Sequence, residues 1–449
     1  MQCKELAGRF TPAHIEVDMM RFSSIALGLI LVSNAMAESK GLSDVYNLAV
    51  ANDPALRAQI AVRDASGALG EQIRGTRGLI ADATVSGKGT QNLKTDDDYR
   101  TATLSLTLTM PLYDQGLDAS IESQDAVVRE ADASLAAFRQ SHIISVTDRY
   151  FAVLSAEQDL VATQAEVEAF ESQLEQASER LTVGIGTRVD VDQARARLDL
   201  SQVGLISAEV ALDTAISDLE QLVDAPILDL SDLGEGFAAD IHRSLDNHLE
   251  MSVDKHPDVV SEQESYQSAL ADLDEARAET IPTLAVSSTF SVSDTSGSDT
   301  AATNASARSN VLSLTLSAPI YTNGVAAAKF DVAKASVVRA EANLAKARRE
   351  VRGGMQKAFR NLGASARTVE ARRLAIVSAA SRVEATEAAY AVGSGDIVEV
   401  LNAKKDLFAA ERDFAKARYT HVIRQLEFDQ AIGDLSESAV ARIDKYLVQ

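Results

Sequence analysis

The stretch YAVGSGDIVEVLN, Tyr390–Asn402, decides how the rest of the chain is read. Its Gly-Ser-Gly step interrupts a sequence otherwise thick with helix formers, because glycine enters positive φ without steric cost. Long runs of seven-residue apolar spacing lie on both sides of it. A second stretch of the same kind, LTVGIGTRVDVDQ, occupies Leu181–Gln193. Two helix–turn–helix tips in one chain point to an internal duplication, and spacing elsewhere supports it.

Upstream of the second tip, Phe330, Val337, Leu344 and Val351 are seven apart; Met355, Leu362, Val369, Ile376, Val383 and Tyr390 continue after a four-residue skip. Upstream of the first tip, Ile121, Val128 and Leu135 precede the same skip, which falls between His142 and Val146. Val153, Leu160, Val167, Leu174 and Leu181 then follow. A seven-residue period drives left-handed supercoiling, and a four-residue insertion unwinds it locally. Each run predicts a helix of about 60 residues, roughly 90 Å at 1.5 Å per residue. Heptads resume after each tip, from Val191 to Leu219 and from Val400 to Phe428.

Before each long helix the period falls to two. In TATLSLTLTM, Thr101–Met110, apolar Ala102, Leu104, Leu106, Leu108 and Met110 alternate with Thr and Ser. That predicts a strand with one apolar and one hydroxyl-bearing face. A weaker partner strand is expected at Ala83–Gln91, across the polar loop KTDDDYR (Lys94–Arg100). The second half has strands at Leu284–Val292 and Leu312–Ala318, across a polar loop at Asp294–Arg308. The strand pairs end alike, in MPLYDQG (Met110–Gly116) and APIYTNG (Ala318–Gly324), 208 residues apart, and the tip turns at Gly184 and Gly393 sit 209 apart. A near-constant offset argues for duplication. Helices are also expected at Leu42–Ala51 and Ala55–Arg74, separated where Asp53 caps and Pro54 opens the second.

Composition agrees with long helices: 449 residues contain no Trp and only seven Pro. The formal charge of −23 makes nucleic acid a poor partner, since phosphate binding needs concentrated positive charge. Residues 20–37, MRFSSIALGLILVSNAMA, read as a secretory leader. Arg21 supplies its positive start, Ile25–Val32 an apolar run too short to span a bilayer, and Ala35-Met36-Ala37 a cleavage site. The acidic residues ahead of it suggest that translation starts at Met19 or Met20. The single cysteine, Cys3, lies before the cleavage site, so the mature chain is expected to have no disulfide and no acylated cysteine. The domain reading is a leader over 1–37, a first repeat over 38–223, a connection of loop and short helix over 224–254, a second repeat over 255–435 and a tail over 436–449.

The alternating segments are about ten residues long, the length a tilted strand needs to cross a bilayer. Strands cross lipid only in closed barrels, and barrels have at least eight strands. Four strands per chain therefore require several chains, with Thr and Ser facing a wet lumen and Leu the lipid. A small soluble sandwich is the competing account; the leader and the hydroxyl-only face speak against it.

The segments YAVGSGDIVEVLNA, RLTVGIGTRVDVDQARA, LTLSAPIYTNG and ANDPALRAQ, in this duplicated order, resemble the TolC-type outer-membrane channels of Gram-negative bacteria over essentially the whole mature chain. The resemblance implies a mostly α fold with a transmembrane β part: a homotrimer in which a twelve-stranded barrel in outer-membrane lipid stands on a periplasmic α-helical barrel. It implies a passive exit duct for efflux or type I secretion, opened by a periplasmic adaptor (membrane fusion) protein and an inner-membrane transporter. It also implies an entrance gate at the helix tips. Asp190 and Tyr390 match the closing network, Glu399 matches a lumenal acidic ring, and Asp396 is a candidate addition to that ring. Gly395 and Asn402 stand where the family has an arginine and a second acid, so any lock lacks that salt bridge unless Arg188 substitutes. Three converging carboxylates would concentrate cations. Tyr390 occupies a heptad position and packing alone would also account for it; Glu399 could equally be a solvated helix-face acid. Val183, Gly184, Val392 and Gly393 match the adaptor-docking tips, and also turn the chain.

No catalytic, cofactor or metal constellation emerges. The six His residues form no ligand-spaced cluster, and His421 sits on a heptad seam, where a packed or hydrogen-bonded role is expected. No phosphate-cradling glycine loop and no Gly-x-Ser-x-Gly elbow is present. The chain does not read as an enzyme. The alternative function is a periplasmic coiled-coil adaptor without a pore, although adaptors usually carry one hairpin and this chain has two. Cargo is not readable, because a shared duct takes it from the transporter.

Overall fold

The computed structural model describes residues 39–92, 97–234, 237, 252–297 and 305–448. The leader and part of the 224–254 connection lie outside the described residues. Helices α1 (Leu42–Asn52) and α2 (Pro54–Gly75) meet at Asp53, whose Oδ1 accepts a hydrogen bond from the Ala55 amide at 2.8 Å. The chain then forms β1 (Ile80–Asn92), β2 (Asp97–Tyr113), α3 (Gln115–Thr182) and α4 (Arg188–Val223). After β3 (Asp232–Leu233) the pattern repeats as α5 (Pro257–Ala278), β4 (Thr283–Gly297), β5 (Ala305–Ser317), α6 (Val325–Ala391) and α7 (Ile397–Ala431). Helix α8 (Glu437–Asp444) and β6 (Leu447–Val448) close the chain.

The four long strands form one antiparallel sheet in the order β1-β2-β4-β5. Register places Leu104 opposite Val292, Leu106 opposite Phe290 and Val286 opposite Leu314, so apolar side chains share one face. The other face is a hydroxyl ladder: Thr101 and Thr295 are 3.1 Å apart, Thr107 and Thr289 3.2 Å, and Ser291 and Ser309 2.8 Å. The apolar face stays exposed, with Leu312, Leu314 and Leu316 each more than two thirds accessible. The strands run 13 to 17 residues, longer than the apolar alternation predicts. Asp97–Arg100, expected in a loop, pair in β2 with β1, and Tyr99 and Arg100 pair with β4 as well, because a backbone ladder continues past the point where apolar side chains stop. Asp294–Gly297 and Ala305–Arg308 extend β4 and β5 in the same way, whereas Ala318 falls just beyond β5.

The long helices exceed the expected 60 residues: α3 has 68 and α6 has 67, about 100 Å each. Each is flanked near the sheet by a 22-residue helix and returns through one of 36 or 35 residues. Polar pairs fix the packing. Arg63 and Arg74 on α2 reach Asp132 and Asp125 on α3 at 2.6 Å each, and Ser123 on α3 donates to Asp272 on α5 at 2.6 Å. Further down, Lys416 on α7 pairs with Asp159 on α3 at 2.6 Å.

The largest core sits at the α3 phase skip. Ile143, Val146, Tyr150, Phe151 and Leu154 pack with Leu42 and Val45 of α1, Leu219 of α4, Val422 and Leu426 of α7, and Val440 of α8. At this skip α3 packs against α1, and α8 packs on α1 within the same core. The Tyr150 hydroxyl donates to the Ser231 carbonyl at 2.6 Å, and β3 pairs with β6. Residues 436–448 are thus part of this middle layer. The second skip, at Val351 and Met355, packs against Val253 and Val259. His421 is fully buried, with Nδ1 2.8 Å from Ser365 Oγ and Nε2 3.1 Å from the Gln425 amide nitrogen. It is packed and hydrogen-bonded, as its heptad position predicts.

Candidate gate at the helical tips

The two tips are built by the same backbone bonds, displaced by 209 residues. Gly184 and Gly393 adopt φ of 81° and 78°. The amides of Ile185 and Gly186 donate to the Arg180 carbonyl at 2.9 Å, and those of Ser394 and Gly395 donate to the Ala389 carbonyl at 3.0 Å. These bonds satisfy carbonyls left free at the ends of α3 and α6. Thr187 then caps α4 and Asp396 caps α7, the latter accepting from the Val398 amide at 3.1 Å. Val183 and Val392 project into solvent, 70% and 80% exposed.

Gly395 is enclosed by its own turn. A Cβ there would lie 3.1 Å from both Ala389 Cβ and the Tyr390 amide nitrogen. An arginine at this position therefore requires the turn to shift by a few tenths of an ångström. At Gly186 the limit is harder, since a Cβ would lie 2.9 Å from the Leu181 backbone nitrogen.

The expected site residues do not form one network within the chain. Asp190 closes a capping box: its Oδ2 accepts from the Thr187 amide at 3.0 Å, and its own amide donates to Thr187 Oγ1 at 3.2 Å. Tyr390 is half-buried, with the Arg180 guanidinium 4.4 Å from its ring centroid. Asn402 Oδ1 accepts from Arg197 at 3.2 Å. Glu399 is exposed, and its carboxylate has no ion-pair partner among the described residues. Arg188 is 88% exposed and stays on its own helix, 3.8 Å from Asp192, so within the chain it does not reach the other tip.

Just above the turns, Phe170 and Ala177 of α3 pack against Ile397 and Leu401 of α7, with Val191, Leu198 and Tyr390 around them. Beside this cluster lies a cavity of about 540 Å³ lined by Gln173, Glu179, Glu387, Tyr390, Val400 and Lys404. Lys404 pairs with Glu387 at 2.8 Å, and the buried Gln173 Oε1 has no hydrogen-bond partner among the described residues. Sequence reading missed Arg180, Arg197, Glu387 and Lys404. Arg180 adjoins the tip motif, but its partner is some 210 residues away in sequence, and no local pattern marks that pairing.

The arrangement offers two exposed valine–glycine knuckles, carboxylates near the turns and side-chain ties between hairpins. The sequence profile of the outer membrane efflux protein family matches residues 45–224 and 249–434. The chain is 30% identical over 445 residues to outer membrane protein TolC of Salmonella enteritidis, covering 96% of this chain and 90% of that one. It is 26% identical to the alkaline protease secretion protein AprF of Pseudomonas aeruginosa, covering 88% and 84%. The solved Campylobacter jejuni CmeC outer membrane channel has the same fold, with a TM-score of 0.75 at 15% identity, covering 97% and 98%.

Proposed function

The chain belongs to the outer membrane efflux protein family, and from that premise we propose how its parts act as an exit duct. It is an outer-membrane protein through which efflux or secretion cargo leaves. The observation that carries the mechanism is the sheet. Its strands are long enough to cross a bilayer, one face is exposed Leu and Val, and the other is Thr and Ser. The outer edges of β1 and β5 have no strand partner among the described residues. Unpaired edges are not tolerated in lipid, so neighbouring copies complete the ladder, and three copies make a twelve-stranded barrel.

The helices support the same assembly. Leu200, Val203, Ile206 and Val210 on α4 form an apolar stripe, each more than 60% exposed in the single chain. In the trimer that stripe meets a neighbouring protomer, and the α3–α4 and α6–α7 hairpins together wall a periplasmic conduit. Asp190, Tyr390, Glu399, Gly395 and Asn402 lie at its entrance, where Glu399 supplies an acidic ring. Val183-Gly184 and Val392-Gly393 receive a periplasmic adaptor. Opening follows from adaptor and inner-membrane transporter engagement, and the transporter selects the cargo.

Fractionation followed by mass measurement tests this reading. The mature protein is expected in the outer-membrane fraction, with a detergent-corrected mass of three chains. A wholly soluble periplasmic form would overturn it and revive the adaptor alternative.

A further inference from the structure

The cavity of about 540 Å³ between α3, α6 and α7 leaves several of its own polar groups unmatched. Gln173 lines it and is 8% exposed. Its Nε2 donates to Gln176 Oε1 at 2.9 Å, and this bond assigns the amide orientation. The other amide atom, Gln173 Oε1, is a buried acceptor with no donor among the described residues. Such a group costs free energy until a donor reaches it.

The charges around it call for a donor of one kind. Glu175, Glu179 and Glu387 line the cavity against a single cation, Lys404. Lys404 is taken up by Glu387 at 2.8 Å, whereas the exposed Glu175 and Glu179 have no ion-pair partner among the described residues. No group of three acidic or imidazole side chains among the described residues is arranged to hold a metal ion. What the cavity lacks is therefore a charged hydrogen-bond donor, and Lys404 shows that an ammonium group fits there. Acceptors stand at two levels: buried Gln173 and exposed Glu179 are six residues apart on α3, about 9 Å of helix rise. Fully buried Val400 and half-buried Tyr390 add apolar lining for a short alkyl chain.

We propose that this cavity is a binding site for a small linear diammonium cation. One ammonium group donates to Gln173 Oε1, and the second lies between the carboxylates of Glu175 and Glu179. Charge-assisted hydrogen bonds supply the buried contact, and the outer contact is a screened ion pair that weakens as salt rises. The site is a feature of each single chain and does not depend on the reading of the tips as a gate.

The test is calorimetric titration of the purified mature protein in detergent at low salt, with putrescine as the probe. Saturable binding of one putrescine per chain is expected. Gln173→Met removes the buried acceptor at similar length and should weaken binding about tenfold, the usual scale for a hydrogen bond to a charged group. The double variant Glu175→Gln, Glu179→Gln should weaken it about fivefold; both positions are exposed, so this variant remains readable if Gln173→Met fails to fold. Butylamine, which reproduces the end of a lysine side chain, should bind at least about fivefold more weakly than putrescine. Magnesium chloride should displace putrescine no more than sodium chloride does at equal ionic strength.

No saturable putrescine binding, or an affinity within twofold of wild type in either folded variant, overturns the site. Equal binding of butylamine assigns the cavity to a single ammonium group and overturns the diammonium reading, as does outright displacement by magnesium. These titrations need no pore: a protein that conducts without binding loses the site and keeps the duct, and one that binds without conducting does the reverse.

Discussion

Leu106 and Ser105 are neighbours in β2 that face opposite sides of the sheet, and placing a lysine at each in turn separates lipid from lumen. Leu106 lies near the middle of the 17-residue strand and of the apolar series from Ala102 to Met110. Those nine residues span about 30 Å along the strand, or roughly 22 Å of membrane depth at the usual tilt of about 45°. A charge at Leu106 is therefore about 10 Å from either edge of the apolar band, where lysine on the lipid face costs about 2–4 kcal/mol per protomer. Leu106 is 44% exposed in the single chain and faces Phe290 across the ladder, so lost packing adds to that cost. Ser105 lies between Thr84 and Ser291 on the hydroxyl face, where a lysine reaches lumenal water and escapes the lipid-face penalty. The assay is the yield and melting temperature of the detergent-resistant trimer from outer membranes. Leu106→Lys should deplete it strongly and Ser105→Lys should leave it near wild type. Equal losses, or a greater loss from Ser105→Lys, would refute the assignment of faces.

Glu399→Gln should reduce cation preference, read as a smaller reversal potential in a salt gradient; unchanged selectivity would remove the acidic ring. Gly184→Ala and Gly393→Ala have open space for a methyl group but force φ near +80°, at about 1 kcal/mol each. They should weaken binding of a periplasmic adaptor before they affect melting of the whole protein, and the reverse order would contradict a docking role for the knuckles. Burial depresses the His421 pKa below its ordinary value. The unfolded chain then binds more protons than the folded one as pH falls below about 6.5, so stability drops in that window, by about 1.4 kcal/mol per unit of depression. His421→Gln should flatten that part of the melting-temperature profile between pH 7.5 and 5, and an unchanged slope would assign the loss elsewhere.

The duplication, the two tips, the strand pairs and the break at Asp53-Pro54 were legible because each rests on local periodicity or capping. The heptad skip at His142–Val146 was visible too, although not its consequence. The pattern does not say that α1, α8 and residues 230–233 converge there. Strand ends were underestimated because polarity at Asp97–Arg100 and Ala305–Arg308 marks where the apolar band stops, whereas the ladder needs only a partner backbone. At the tips, sequence placed Asp190, Tyr390, Glu399 and Asn402 on the turns and adjoining helices. It could not pair them, since Arg180–Tyr390 and Arg197–Asn402 join residues more than 200 positions apart. It also offered Arg188 as a substitute, and helix α4 points that side chain along its own axis toward Asp192.

Single-channel recording on the purified mature protein in planar bilayers tests the duct most directly. Discrete, cation-preferring conductance steps, rare at rest, are the expected result. Bilayers that stay silent with protein verified as inserted would contradict the account.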